Sequence, residues 1–389
     1  MSRGRRVPLA WRNLTENRWR LLASTFGAAF AVVLMLLQNG FRDALLDNMS
    51  SLIQRMDGDL FLTNRSRYML SHPAPFPRRR LIQALGVEGV AAACPLYLDA
   101  ERVAWRNPLT GLSRKIRVVA FAPDDEILDV AAIKEQRFLW DRPDAALADD
   151  RSKSEFYGPL EPGVVSEING RRIRIAGVFS LGTDFRSNGT LLLSERNMLT
   201  YFPERNGRSW GDAAIDVGVL RLRSKADVKT VGSRLKSRLP RDVVVLTKAE
   251  FVAKEQDFWQ SAAPLGVVFD IGVAMGFVVG MAICYQVLFS EISDRLSEFA
   301  TLKAMGYSNL GLYRIVVEEA VYLALLGYGV GVALGFALFR WLERTTGLDM
   351  SLKLSSASLI LGLTIVMCVL AGSLAARKLL SLDPAELYE

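Results

Sequence analysis

Four apolar runs punctuate the chain, roughly Leu21 to Leu37, Leu265 to Phe289, Ile315 to Phe339 and Ala357 to Ala376. A bilayer core of about 30 Å takes about 20 helical residues to cross. Each run is long enough, so the pattern predicts an α-helical membrane protein with four transmembrane helices, over 21–42, 265–289, 315–339 and 357–376. The polar remainder comprises a segment at 1–20, a large insertion at 43–260, a loop at 290–314, a short loop at 340–356 and a tail at 377–389. An ordinary soluble enzyme and a disordered chain are both excluded, the first by the runs and the second by the apolar mass.

The insertion switches to shorter periods. Strand-like stretches are Asp59–Thr63, Lys115–Phe121, Arg172–Phe179, Thr190–Leu193, Asp216–Leu222 and Val243–Leu246. Arg172-Ile173-Arg174-Ile175-Ala176-Gly177-Val178 alternates polar and apolar, as a half-buried strand does. Helix-like stretches are Arg79–Leu85, Ser194–Tyr201, Lys225–Leu239 and Lys248–Trp259, and in the third Val228, Val231, Leu235 and Leu239 recur at three and four. Joints rich in Pro and Gly fall near Pro73–Pro77, Asn107–Gly111 and Gly158–Gly163. The mixture predicts a large α+β extracytoplasmic domain inserted between the first and second transmembrane helices, with one or two cores.

Charge fixes the expected orientation. The chain has 48 Lys+Arg against 41 Asp+Glu, a net +7 over 389 residues. Arg3, Arg5, Arg6, Arg12, Arg18 and Arg20 precede the first run, which reads as an uncleaved anchor with a cytoplasmic N-terminus. Alternation then puts 43–260 outside and 290–314 inside, and Arg377-Lys378 agrees with a cytoplasmic C-terminus. Trp19, Trp259 and Trp341 fall at the expected membrane boundaries. The basic residues are scattered and no nucleic-acid motif accompanies them, so no nucleic-acid partner is expected.

Candidate chemistry is sparse. Cys284 and Cys368 lie in apolar runs, Cys94 is alone in the insertion, and His72 is the only histidine, which removes His-based triads and Cys/His zinc clusters. No catalytic, cofactor-binding or metal-ligating residue is expected. Asp124-Asp125 and Asp149-Asp150 read as solvated turn residues, and Arg78-Arg79-Arg80 as a solvated basic face. Asp270, Glu318 and Glu319 read as carboxylates near membrane interfaces, with Arg314 four residues before Glu318; an ion site is the alternative. Gly272, Gly276 and Gly280 recur every four residues in the second run, and Gly327, Gly331 and Gly335 do so in the third. These are two helix-packing faces, one expected within the chain and the other open to a dimer seam, with Gly276 the most sensitive position of its stripe.

The 290–314 loop predicts a short amphipathic helix. Ile292, Leu296, Phe299 and Leu302 share one face, Glu298 and Lys303 lie off it, and Met305-Gly306 ends it. A helix of this kind lies on the membrane or docks into a partner's groove.

The segment Glu298-Phe299-Ala300-Thr301-Leu302-Lys303-Ala304-Met305-Gly306 resembles the signature of FtsX/MacB-type permeases of ABC transporters, and the order of spans and insertion is similar to that topology. Gly58-Asp59-Leu60-Phe61-Leu62, Arg78–Gly86, Cys94–Leu98, Val243–Lys248, Met275–Gly280 and Leu382-Asp383-Pro384-Ala385 resemble the DevC branch. The resemblance implies a homodimeric permease in the bacterial inner membrane, paired with a separate ABC ATPase that binds ATP and Mg. It also implies a periplasmic membrane fusion (adaptor) protein and an outer-membrane TolC-like channel. Ile292, Leu296, Glu298, Phe299, Leu302, Lys303, Met305 and Gly306 would then form the helix that couples to the ATPase. The implied activity is export of a lipid, glycolipid or other small hydrophobic compound. The alternative is a mechanotransmission permease that regulates a cell-wall hydrolase or releases lipoproteins.

Overall fold

The central strands of the insertion carry apolar residues on both faces and the fold buries both, whereas the strand Arg171–Phe179 leaves Arg172 and Arg174 exposed. The computed structural model describes residues 18–184, 186–207, 210–224, 226–262, 265–306, 308–346, 350 and 352–380. The rest of the 1–20 segment, the tail from 381 and the Leu382–Ala385 motif lie outside the described residues. One compact unit spans Leu46–Ala262; described residues before and after it form a second.

In the 46–262 unit the strands are β1 (Leu60–Asn64), β2 (Phe76–Pro77), β3 (Val90–Asp99), β4 (Ala104–Arg106), β5 (Ser113–Lys115), β6 (Arg117–Phe121), β7 (Ala145–Asp149), β8 (Val165–Ile168), β9 (Arg171–Phe179), β10 (Thr190–Ser194), β11 (Ala214–Ile215), β12 (Val217–Leu222) and β13 (Val243–Thr247). Among the described residues, all but β2 and β11 join one sheet in the order β13-β1-β12-β3-β6-β10-β7-β9-β8-β4-β5. The long β3 links its halves: Val90 to Leu96 pair with β12, and Tyr97 to Asp99 pair with β6. Alternation then divides the side chains. Leu60, Leu62, Tyr97, Val118, Leu191 and Leu193 enter a core on one face. Phe61, Leu96, Leu98, Val119, Phe121 and Leu192 enter a core on the other. The expected one or two cores are therefore the two sides of a single sheet.

The helices, in chain order, are α1 (Arg18–Met49), α2 (Ser51–Arg55), α3 (Arg79–Leu85), α4 (Ala131–Glu135), α5 (Arg137–Trp140), α6 (Ser154–Tyr157), α7 (Glu195–Tyr201), α8 (Val228–Arg238), α9 (Lys248–Ala262), α10 (Leu265–Asp294), α11 (Leu296–Ala304), α12 (Asn309–Thr346) and α13 (Leu354–Leu380). Local signals explain several starts. Ser194 Oγ accepts from the Asn197 N–H ahead of α7, and Asp227 accepts from the Thr230 N–H ahead of α8. Asp227 therefore starts α8 two residues beyond the expected Lys225. Trp259 is buried on α9, with its indole N–H donating to Glu255 at 3.0 Å. It is a packing residue of the domain and not the expected membrane-boundary anchor.

A buried ion cluster ties distant segments of this unit together. Asp216 accepts from Arg67 at 2.6 Å, from Arg205 at 2.5 Å and from the Leu98 N–H at 2.9 Å. Arg205 also faces Asp99 at 3.4 Å, and Arg67 donates to the Leu70 and Ala74 carbonyls. Glu255 of α9 accepts from the Leu70 N–H at 2.6 Å. Desolvation of such groups is offset only when every member is partnered.

Among the described residues, four helices are long and apolar enough to cross a membrane, α1, α10, α12 and α13, and they lie in the second unit. Their ends differ from the expected bounds: α1 continues to Met49, and α12 runs from Asn309 to Thr346. Both glycine stripes meet α1. A Cβ at Gly272 would lie 2.5 Å from Gln38 Cδ, one at Gly276 would lie 3.1 Å from Met35 Cγ, and one at Gly280 would overlap Ala31 and Met367. On α12, Gly327 faces Ala28, Gly331 faces Val32 at 2.7 Å and the Ala29 carbonyl at 3.1 Å, and Gly335 faces Leu36 at 3.0 Å. The α1 run Ala28, Ala29, Ala31 and Val32 is thus held between α10 and α12. The stripe expected within the chain and the stripe left open both meet α1. The stripe on α12 is as fully occupied as that on α10. Across the bundle α13 closes against both, with Cys284 and Cys368 sulfurs 3.6 Å apart and the Tyr313 and Ser373 hydroxyls 2.8 Å apart.

Two outcomes follow from this packing. Gly280→Leu should lower the fraction of protein surviving a heat step in detergent, read by gel filtration, more than Gly276→Leu does. Residue 280 faces a Cβ and a second helix, whereas Gly276 faces the flexible Met35. Equal or reversed losses contradict the assignment. Asp216→Ala, which strands two buried guanidiniums, should destabilise the 46–262 unit by about 3–5 kcal/mol. Limited proteolysis of the full chain reads this, and wild-type resistance would refute it.

Candidate functional site

Among the described residues of the insertion, the cysteine and the paired carboxylates are buried or held by structural bonds. Cys94 is buried, and burial together with the neighbouring Asp125 pushes its thiol up to about 12, so it stays protonated. Asp149 is fully buried, correcting the solvated-turn reading. Its carboxylate accepts backbone N–H groups of Leu181 at 3.1 Å, Gly182 at 2.9 Å and Arg151 at 3.2 Å, so it organises a loop. Burial raises its pKa while those bonds oppose the rise. The Arg78-Arg79-Arg80 cluster is neutralised in place: Arg78 pairs with Glu195, Arg79 with Asp212 at 3.4 Å, and Arg80 with Asp242 at 2.7 Å.

The loop between the second and third spans is the remaining candidate. The long α10 ends at Asp294, Arg295 leaves helical geometry with φ −105° and ψ 19°, and α11 begins at Leu296. Ten residues after Leu296, Gly306 takes φ +95°, a left-handed conformation that favours glycine and stops the helix. The Met305 and Gly306 N–H groups donate back to Thr301 and Lys303 carbonyls, each at 3.0 Å. Ser308 then starts α12, its Oγ accepting from the Gly311 N–H at 3.2 Å. A short helix is fenced by a break on one side and a glycine stop on the other.

The break rearranges the expected face. Ile292 lies on α10, not on the loop helix, and is buried in the bundle core with Leu312, Val316 and Ala320. Leu296 is half-buried and packs against the same core. Predicted as docking residues, these two instead hold the loop helix to its own bundle, because they continue the apolar stripe of the preceding span. The side chains of Phe299 and Leu302 lie outside the described residues. Lys303 is half-buried, whereas Glu298, Met305 and Gly306 are exposed. Ser297, Thr301 and Met305, four apart, define the open face of α11, with the Thr301 hydroxyl tied to the Ser297 carbonyl at 2.8 Å. Leu310, at the start of α12, is 77% exposed. Ser297, Thr301 and Leu310 escaped the sequence reading.

The membrane carboxylates separate into three environments. Asp270 pairs with Arg42 of α1 at 2.7 Å. Glu318 pairs with Arg314 at 3.1 Å, one turn apart on an exposed surface. Glu319 is buried at 2% exposure, facing into the bundle where its neighbour faces out.

This loop falls in a stretch with a family match. Residues 271–384 match the FtsX-like permease C-terminal family. The match begins inside α10 and takes in α11, α12 and α13. Among solved structures, the periplasmic region of MacB from Actinobacillus actinomycetemcomitans is similar at 13% identity, with 51% of this chain and 92% of that one covered and a TM-score of 0.33. The extracellular domain of the ABC-type transporter YknZ from Gram-positive bacteria is similar at 15% identity, with 49% and 99% covered and a TM-score of 0.32. No curated protein gives a significant match.

Gly306→Ala should cost about 1 kcal/mol, since a Cβ is disfavoured at this φ. It should extend α11 at the expense of the turn before α12. Hydrogen exchange of the 300–312 amides reads the change. Unaltered exchange would show that the glycine is not what stops the helix.

Proposed function

We propose that this chain is the membrane permease subunit of an ABC exporter, and that α11 is the element that receives the stroke of a separate ATPase. The observation that carries the reading is a short helix, bounded by Arg295 and Gly306, in the loop joining two spans of an FtsX-like region. The sequence has no G-x-x-x-x-G-K-[ST] loop, so ATP and Mg belong to the partner subunit. Ser297, Thr301, Met305 and Leu310 offer the contact surface, while Ile292 and Leu296 bind α11 to the bundle. A push on the loop therefore moves α10 and α12 and does not merely bend the loop. The domain ahead of α10 passes the movement on to cargo, a lipid, glycolipid or other small hydrophobic compound, in an assembly of the DevC type. That assembly includes a periplasmic adaptor, a TolC-like outer-membrane channel and a second copy of this chain in the inner membrane, with both termini cytoplasmic. With both glycine stripes turned to α1, the homodimer uses the exposed α10 face of Val268, Ile271, Met275 and Val278. Those residues recur at three, four and three.

Met305→Asp combined with Leu310→Asp should strip the ATPase from the solubilised complex while the protein still inserts. Affinity purification of the full chain, followed by mass spectrometry, reads both the ATPase and the third component. An adaptor protein among the retained partners supports export. A cell-wall hydrolase or a lipoprotein acceptor in its place supports mechanotransmission, and undiminished ATPase recovery by the double variant overturns the docking face.

A further inference from the structure

The alternating strand that the sequence singles out, Arg172-Ile173-Arg174-Ile175, has a role that packing alone does not explain. Ile173 and Ile175 enter the core, as the pattern demands, so Arg172 and Arg174 stand side by side on the opposite, open face of β9. There they line a cavity of about 440 Å³ together with Arg142, Asp144, Leu139 and Ala176. Its size lies in the range of small-molecule sites.

Three features mark the cavity as a site. The first is charge: three guanidiniums and one carboxylate leave it at net +2. Among the described residues none of the three arginine side chains has an ion-pair or hydrogen-bond partner. The Arg78–Arg80 cluster of the same domain, by contrast, has a carboxylate for each arginine. The second is rigidity. The buried Asn197 amide donates to the Arg142 carbonyl at 2.8 Å and to the Ala145 carbonyl at 2.9 Å. The Arg174 N–H donates to the Asp144 carbonyl at 2.8 Å. The cavity wall is therefore fixed before any ligand arrives, and little ordering cost remains beyond the arginine rotamers. The third is the carboxylate. Asp144 sits at φ 55°, a conformation that Asp tolerates, and its Oδ1 accepts the Tyr201 hydroxyl at 3.0 Å. Among the described residues Oδ2 has no bond, so it can accept a ligand hydroxyl.

We propose that this cavity binds a phosphate ester of a polyol, a glycerophosphoryl group being the smallest example. Guanidinium forks grip phosphate oxygens in pairs, and a phosphate offers three strong acceptors. Asp144 selects a hydroxyl beside the phosphate over inorganic phosphate. The inference stands on the cavity and holds whether or not the chain is an exporter.

The test uses the full chain in nanodiscs of phosphatidylcholine, with glycerol 3-phosphate and dihexanoyl phosphatidylglycerol as probes in titration calorimetry. Saturable binding is expected, weakened at least tenfold by Arg172→Ala with Arg174→Ala and left intact by Arg238→Ala, which removes an exposed arginine on α8. Asp144→Asn should narrow the preference for glycerol 3-phosphate over inorganic phosphate while leaving affinity for the latter unchanged or higher. Tighter binding of the short-chain lipid identifies a lipid headgroup as the source, and tighter binding of glycerol 3-phosphate identifies a free phosphate ester. Circular dichroism confirms that the double variant is folded. Wild-type affinity in that folded variant, or no saturable binding of either probe to the wild type, overturns the proposal.

Discussion

Close approach of helix backbones is the constraint on which the spanning unit depends. In lipid, apolar side chains gain nothing by leaving the tails, so helices associate through contact and through polar pairs. Here the contact is made by removing Cβ atoms. Gly280 meets Ala31, while Gly327 and Gly331 meet Ala28, Ala29 and Val32. The small-residue run of α1 fits between two glycine-lined helices, and α13 packs against the other side of both. Arg42–Asp270 and the Ser356 hydroxyl donating to Asp43 at 2.7 Å add polar ties among the same helices. With α1 so enclosed, the outward surface left to α10 is its Val268–Val278 face.

The 46–262 unit rests on a different balance. A sheet with two buried faces supplies ample apolar area, and specificity comes from charges placed where they must be paired. Asp216 draws Arg67 and Arg205 to one point, and Glu255 fixes α9 to the chain around Leu70. Breaking one member leaves the others desolvated and alone, which makes the cluster a sensitive register for the loops it joins. The same logic separates the two arginine clusters of the domain. Arg78, Arg79 and Arg80 have carboxylates and serve structure; among the described residues the side chains of Arg142, Arg172 and Arg174 have no such partner.

At the loop between the second and third spans, the helix breaks at Arg295. Had α10 run on through residue 304, Ile292, Leu296 and the apolar positions after them would share one face. The turn at Arg295 interrupts that line, leaving Ile292 in the bundle and turning Ser297, Thr301 and Met305 outward. Leu296 packs on the bundle core, while Ser297, Thr301 and Met305 are exposed.

Much of this was legible in the residues. The four apolar runs determined the spans, because no other structure hides so long a run of backbone and side chains from water. Alternation located β9, and the three-and-four spacing of Val228, Val231, Leu235 and Leu239 located α8, since these signals act over a few residues. Gly306 was recognisable as a stop for the same reason. Other features required the tertiary structure. The long β3 was missed because its paired partners, β6 and β12, lie far apart in sequence. Glycine spacing announced two packing faces but not that both would grip α1, since spacing carries no information about the partner. Asp149 and Trp259 looked like surface residues and are buried, and the partners of Arg78, Arg79 and Arg80 come from segments more than a hundred residues away. The sequence determined which residues were apolar, charged or free of a Cβ; only the fold decided which charges were cancelled, because that depends on distances the chain order does not contain.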